Sequence, residues 1–141
     1  MKARRLADWL IKTWQRKDGA YCNHGTVYTS VIYIAKSMLE LWEVENSLGK
    51  TDSAWREAAD RHYTSAKRAN DQLVASQGDF ETEGEMTFED GMISCSALQI
   101  GMFACLQEDP ALKEHYTKAM LDVLHSHECL TQLRVPDGRR R

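Results

Sequence analysis

The sequence predicts an all-α fold, an array of antiparallel helical hairpins. Apolar residues recur at helical spacing over long segments, which is typical of amphipathic helices. Only two of the 141 residues, Pro110 and Pro136, are prolines, so few positions break a helix. Charged segments and nearly charge-free segments also alternate along the chain. This alternation is expected when charged helices form an outer layer and apolar helices form an inner layer.

The first two helices are predicted at about 3–16 and 26–47, with a loop at 17–25 between them. Apolar side chains of the first helix recur at helical spacing and are Leu6, Trp9, Leu10, Ile11 and Trp14. The second helix has a single apolar face formed by Val27, Val31, Ile34, Met38 and Leu41. Gly49 follows this helix, and glycine commonly stands just after a helix end.

The third helix is predicted at about 52–76, with charged residues along one side. Asp52 or Ser53 is expected to cap its start, because both side chains accept hydrogen bonds from the first backbone amides of a helix. Gly78 is expected to end it. The polar side indicates an outer helix that faces solvent.

The fourth helix is the most unusual segment of the chain. Residues 91–107 contain no Asp, Glu, Lys or Arg, and an acidic loop at 81–90 precedes them. A charge-free helix is expected to be packed on nearly all sides, as an inner helix would be. The fifth helix is predicted at about 110–127, and it opens on Pro110 at a position that suits proline.

Two short matches within the chain suggest an internal repeat. His-Tyr-Thr occurs at 62–64 and again 53 residues later at 115–117, each time inside a charged helix. His24-Gly25 and Asp90-Gly91, 66 residues apart, each precede an apolar helix. Loops of unequal length would account for the difference between the two offsets. If the repeat is structural, both histidines of the His-Tyr-Thr segments are expected on the surface of outer helices.

Composition limits the function. The chain has 18 Lys and Arg against 21 Asp and Glu, a net charge of −3, so a nucleic-acid partner is not expected. No segment resembles a secretory signal or a membrane span. The four cysteines show no paired spacing, which predicts reduced thiols and a cytoplasmic protein. We expect one helical-hairpin domain over 1–141.

Three segments resemble the loop-plus-inner-helix units of the six-hairpin glycosidases, which are α/α-toroid sugar hydrolases and lyases. They are TVYTSVIYIAKSMLELWEV at 26–44, DGAYCNHGTVY at 18–28 and FETEGEMTFEDGMISCSALQIG at 80–101. The resemblance covers about 9–130 and implies that the chain is part of an (α/α) toroid whose inner-helix entrances line a saccharide cleft. Its members include unsaturated glucuronyl hydrolases and β-glucuronidase-like enzymes. Five helices are fewer than six hairpins require, so the chain is expected to be a fragment of a larger toroid.

The resemblance implies a glycoside hydrolase-like domain that acts on a uronic-acid-containing saccharide. Asp90 is then the favoured acid/base, with Glu89 beside it, because glycoside hydrolysis uses carboxyl groups. Adjacent residues seldom flank one bond, so at most one of the two is expected to be catalytic. The alternative role for Asp90 is an ordinary helix cap before Gly91. The positive end of the helix would favour an ionised Asp90, which suits a base.

Other residues near the two inner-helix entrances are candidate substrate contacts. His24 and Tyr28 precede and open the second helix, and an aromatic ring there could stack on a sugar. Glu85 belongs to an acidic run in which carboxylates alternate, and this run is either a solvated loop or a ligand-facing rim. The alternative for His24 and Tyr28 is a loop histidine beside a packed tyrosine.

No cofactor is expected, and no metal, because His125 and Cys129 are the only convergent metal-binding pair and zinc takes three or four ligands. Two further functions stay open. A polysaccharide lyase would use a tyrosine and histidine pair, for which Tyr28 and His24 are the candidates. A non-catalytic helical scaffold would bind a protein partner, or a second copy of itself, through its open apolar face.

Overall fold

The computed structural model describes residues 2–21, 27–75 and 86–134, with side chains described over 2–21, 33–75 and 95–125. Five α-helices account for almost all of these residues, which confirms the all-α prediction. They are α1 (Lys2–Thr13), α2 (Val27–Leu48), α3 (Ser53–Ala75), α4 (Met86–Cys105) and α5 (Pro110–Arg134). None of these helices, as far as they are described, is long and apolar enough to cross a membrane.

The chain divides into two compact units. The first is Met1–Leu73 and holds α1, α2 and nearly all of α3, whereas the second is Val74–Arg141 and holds α4 and α5. After α1 the backbone forms a tight turn, closed by an isolated antiparallel bridge between Gln15 and Tyr21.

Two helix starts follow the capping chemistry of the sequence. The Asp52 carboxylate accepts a hydrogen bond from the backbone amide of Ala54 at 2.9 Å, which confirms Asp52 as the cap of α3. Asp109 accepts from the amide of Ala111 at 2.9 Å, and Pro110 is the first residue of α5, as predicted. Both carboxylates also lie where the positive end of the helix favours them.

The start of α4 differs from the prediction. The helix begins at Met86, so Asp90 lies inside its second turn and the prediction that Asp90 caps the helix at Gly91 is wrong. Carboxylates are favourable in the first turns of a helix as well as at the cap, and the gain there offsets the cost of about 1 kcal/mol for glycine in a helix interior. Residues 86–90 of the acidic segment therefore belong to α4.

Small residues form the buried face of α3. Because their side chains are short, α3 allows close approach of neighbouring elements in the first unit. These residues are Ala58, Ala59, Ser65, Ala66 and Ala69. Trp42 of α2 lies against Tyr63 of α3, with ring centroids 5.1 Å apart.

Aromatic packing holds the second unit together. Phe103 of α4 and Tyr116 of α5 are fully buried and meet edge to face, with ring centroids 4.9 Å apart. Ile100 and Val123 are buried in the same unit. Gly101 faces Met120 of α5 so closely that a Cβ at this position would touch the methionine sulfur.

The charge-free helix is not packed on all sides, contrary to the prediction. Leu98 is 63% exposed and Met102 is 40% exposed. Cys105 is also exposed, although a helix packed on nearly all sides would bury it. These three residues recur at i, i+4 and i+7 and so share one side of the helix. We call them the α4 stripe.

Candidate functional site

The residues predicted from the sequence lie at the N-terminal ends of two helices or just before them. Glu89 and Asp90 lie in the first two turns of α4, and Tyr28 is the second residue of α2, but their side chains are outside the described residues. His24 and Glu85 lie wholly outside the described residues. The roles assigned to these five residues therefore stay predictions.

The described residues contain a different cluster of ionisable side chains, formed by Asp8, Glu45 and His62. The Glu45 carboxylate lies 2.5 Å from Nδ1 of His62, and both side chains are 0% exposed. On the other edge of the ring, Nε2 lies 3.2 Å from the carboxylate of Asp8, whose side chain is 42% exposed. We call these three residues the buried array. It joins α1, α2 and α3.

His62 lies between two carboxylates in the buried array. Each ring nitrogen of His62 faces a carboxylate oxygen, and an ionised carboxylate can only accept a hydrogen bond. Only the protonated ring carries an N–H on both nitrogens and can donate to both carboxylates. Arg61 lies 3.2 Å from the same oxygen of Asp8 and places a positive charge at the outer end of the array.

One atom of the buried array lacks a partner. Oε1 of Glu45 is buried and accepts no hydrogen bond from any described residue. Burying an ionised carboxylate is costly unless it is paired, so Glu45 depends on His62. Removal of the imidazole would leave both oxygens of a fully buried carboxylate without a partner.

The prediction that His62 lies on the surface is wrong. Its neighbours on α3 include Ala58 and Ala66, each four residues away and therefore on the same side of the helix. That small-residue side is the buried one. The sequence signal was present in the spacing of the alanines, but the partners of His62 are distant along the chain, at Asp8 and Glu45.

A second polar cluster fixes the turn after α1 to α3. The hydroxyls of Tyr21 and Ser65 hydrogen-bond each other, and Ser65 donates to Oε1 of Gln15 at 2.9 Å. The Gln15 amide donates to the Ser65 carbonyl at 2.9 Å and to the Gly19 carbonyl at 3.0 Å. Arg68 donates to two backbone carbonyls of the same turn. We call this cluster the turn anchor.

The Tyr21 hydroxyl stays protonated at neutral pH. Burial raises the pKa of Tyr21 to about 12, against the smaller opposing effects of the Ser65 hydrogen bond and the Arg68 charge. The side chain is 0% exposed. Tyr21 is therefore a structural hydrogen-bonding group rather than a base.

An apolar groove runs between α1 and α2. Its volume is about 340 Å³. Six of the residues that line it are Leu6, Ala7, Leu10, Tyr33, Met38 and Leu41. Leu6 and Tyr33 are 57% and 62% exposed, so the groove opens to solvent. Across the part of the chain with described side chains, no three His, Cys, Asp or Glu residues could hold a metal ion together.

Comparison with known proteins assigns no family to this arrangement. No protein-family profile, curated protein sequence or solved structure matches the chain. The resemblance to six-hairpin glycosidases therefore stays a prediction from its sequence segments.

Proposed function

We propose that this chain is a glycoside hydrolase-like domain of the α/α-toroid type that acts on a uronic-acid-containing saccharide. One observation carries the proposal. The α4 helix has no charged residue after Asp90 and yet exposes the apolar α4 stripe. An inner helix of a toroid has this character, because its second side is covered by neighbouring helices of the ring. An ordinary surface helix would carry charges there.

The proposed acid/base is Asp90. The first turns of α4 carry the positive end of the helix dipole, which favours an ionised carboxylate and suits a base. Consecutive residues of a helix point about 100° apart, so Glu89 does not share the position of Asp90 and is assigned a substrate contact at most. A second carboxyl group within about 5–9.5 Å would complete the hydrolytic pair. His24, Tyr28 and Glu85 are the proposed substrate contacts.

The test uses 4-nitrophenyl β-glucuronide and an unsaturated uronyl disaccharide as substrates. Asp90→Asn is expected to lower kcat by at least about 100-fold, because general acid/base groups contribute at that scale. Asp122→Asn is the matched control, since Asp122 is an exposed aspartate of α5. Circular dichroism checks that both variants stay helical. An unchanged kcat in Asp90→Asn, or a folded chain that cleaves neither substrate, would contradict the proposal.

A second candidate function is a non-catalytic scaffold that binds an amphipathic helix of a partner protein. The α1/α2 groove favours it, because grooves lined by apolar side chains receive helices with apolar anchors at i, i+3 and i+4. Four basic residues against one acidic residue on α1 favour acidic flanks on that partner helix. They are Lys2, Arg4, Arg5 and Lys12.

Binding of a fluorescent acidic amphipathic peptide tests this scaffold function. Leu10→Glu, which places a charge in the groove, is expected to abolish binding, whereas Lys113→Glu on α5 is expected to leave it unchanged. Equal binding of the peptide by both variants would exclude the groove as its binding site. A peptide that binds with no change in Asp90→Asn would separate this function from hydrolysis.

A further inference from the structure

The exposed side of α1 plays no part in the proposed hydrolysis, and its charge is opposite in sign to that of the whole chain. Successive residues of an α-helix point about 100° apart, so residues at several spacings fall on one side. The residues on this side, all of them exposed, are Lys2, Arg5, Leu6, Trp9 and Lys12. We call these five residues the α1 surface. It combines three cations with two large apolar side chains, on a chain whose net charge is −3.

The acidic residue of α1 is not part of the α1 surface. Asp8, the single carboxylate of the helix, contacts Arg61 and His62 of α3, each at 3.2 Å. Arg4 is also directed to α3, where it donates to the backbone carbonyl of Ala54 at 3.2 Å. No ion pair between described residues involves the three cations of the α1 surface. Their charges therefore stay available to an anionic partner.

The apolar part of the α1 surface contains an aromatic pair. Trp9 is 49% exposed and lies beside Trp14, which is 37% exposed, with ring centroids 6.4 Å apart. Tryptophan is enriched at membrane–water interfaces, because its ring is apolar while its N–H can reach water or a headgroup. Leu6, three residues before Trp9, is 57% exposed. Tryptophan and leucine flanked by Lys and Arg are typical of helices that lie in the interface of a membrane and do not span it.

We propose that the α1 surface attaches the chain to membranes that contain anionic lipids. The three cations contact the lipid headgroups, while Leu6 and Trp9 enter the boundary between headgroups and acyl chains. A nucleic acid would pair with the cations but would leave Leu6 against phosphates. An acidic helix of a partner protein needs a groove, and Trp9 and the three cations do not line the groove between α1 and α2. An anionic membrane uses the charges and the apolar side chains together.

Co-sedimentation with lipid vesicles tests this attachment. The chain is expected to bind vesicles of phosphatidylcholine with about 30% phosphatidylserine, and to bind pure phosphatidylcholine vesicles at least about tenfold more weakly. Binding to the anionic vesicles is expected to weaken as the salt concentration rises, because salt screens exposed charges. Binding to neither kind of vesicle, or equal binding to both kinds, would overturn the proposal.

Two matched pairs of variants test whether the contact lies on α1. Lys12→Gln is expected to weaken binding to the anionic vesicles about fivefold, the scale set by one cation near an anionic surface. Lys113→Gln, at an exposed lysine of α5, is its control. Leu6→Ser is expected to weaken binding about fivefold through the lost apolar contact. Leu121→Ser is its control, because Leu121 of α5 is 55% exposed and so matches Leu6.

Both control variants are expected to bind like the unmodified chain, and circular dichroism checks that all four variants stay helical. Equal binding by a variant and its control would overturn the proposal. Weaker binding in Lys12→Gln together with unchanged binding in Leu6→Ser would also overturn it, since the contact would then be purely electrostatic, of the kind that a nucleic acid makes as well.

Discussion

His-Tyr-Thr occurs twice in this chain, once in each compact unit, and the two copies bury opposite residues. In α3 the histidine, His62, is fully buried between two carboxylates and Tyr63 is only half-buried against Trp42. In α5 the histidine, His115, is exposed and Tyr116 is fully buried against Phe103. The same three-residue segment therefore contributes its histidine to the buried array in one unit and its tyrosine to the aromatic core in the other.

A shift of one residue explains the difference. Successive residues of an α-helix point about 100° apart, so burying the tyrosine instead of the histidine requires the helix to turn by that amount relative to its neighbours. The repeat in sequence is therefore not matched by a repeat in burial. Spacing to other buried residues, such as the alanines of α3, decides which side of a helix faces inward.

The largest expected effect comes from the two histidines. His62→Ala should destabilise the first unit by about 3–5 kcal/mol, because removing one partner leaves a buried charge uncompensated. His115→Ala should change stability by no more than about 0.5 kcal/mol, as is usual for exposed positions. Urea denaturation followed by circular dichroism measures both variants. Similar losses of stability in His62→Ala and His115→Ala would show that the different burial of the two histidines has no effect on stability.

The tyrosines are expected to behave in the reverse order. Tyr116→Ala removes a fully buried ring from the second unit and should cost about 3–5 kcal/mol. Tyr63→Ala removes a half-buried ring and should cost roughly 1–2 kcal/mol. Differential scanning calorimetry of the two variants tests this order. A larger loss for Tyr63→Ala would mean that the contact with Trp42 dominates the first unit.

Two glycines face different neighbours: one lies against backbone atoms and the other against the end of a flexible side chain. Gly19 has a φ of 103°, and a Cβ there would meet the backbone carbonyl of Arg68, so Gly19→Ala should cost about 1–3 kcal/mol. Gly101 faces the flexible end of Met120, which can move aside. Gly101→Ala should stay within about 1 kcal/mol of neutral, since alanine is the better helix former. Thermal melts of the two variants measure the loss of stability in each. Equal losses for Gly19→Ala and Gly101→Ala would show that the backbone contact costs no more than the contact with the methionine side chain.

The smallest effect concerns the turn anchor and depends on pH. Folding raises the pKa of Tyr21 from 10.0 to about 12, so the neutral phenol is favoured in the folded chain. The resulting stability is fully present below pH 10 and is lost as pH rises from 10 toward 12. Tyr21→Phe should lower the free energy of unfolding by about 1 kcal/mol at pH 8, because the hydrogen bond to Ser65 is lost. Above pH 10 the difference in free energy of unfolding between this variant and the unmodified chain should become smaller. Urea midpoints of both proteins at pH 8 and pH 11 measure this difference in stability. The same difference at both pH values would contradict the raised pKa of Tyr21.

Local chemistry made the helices predictable. Apolar spacing located α1 and α2, the pattern of charged residues located α3 and α4, and the Asp52 cap and Pro110 fixed the starts of α3 and α5 to within a residue. The start of α4 was missed because Asp90 before Gly91 has the same sequence signature as a cap. Only the favourable placement of acidic residues inside a first turn distinguishes the two cases, and that effect is small.

Contacts between distant residues were not predictable. His62 meets Asp8 and Glu45, which are 54 and 17 residues away, and no local pattern joins them. The turn anchor likewise links Gln15 and Ser65 across 50 residues. The exposure of the α4 stripe was not predictable for the same reason, because it too depends on residues that are distant along the chain. A charge-free segment indicates which surface is apolar, but the presence of a covering element depends on the rest of the fold.

The α4 stripe is the observation that supports the proposed toroid, so its behaviour in solution is the most direct test of that proposal. Light scattering of the 141-residue chain is predicted to give at least twice the monomer mass of 16.1 kDa. Met102→Glu, which places a charge in the stripe, is predicted to give the monomer, while Lys118→Glu on α5 keeps the larger mass. A stable, cooperatively melting monomer of the unmodified chain would contradict the account, because the stripe would then need no cover.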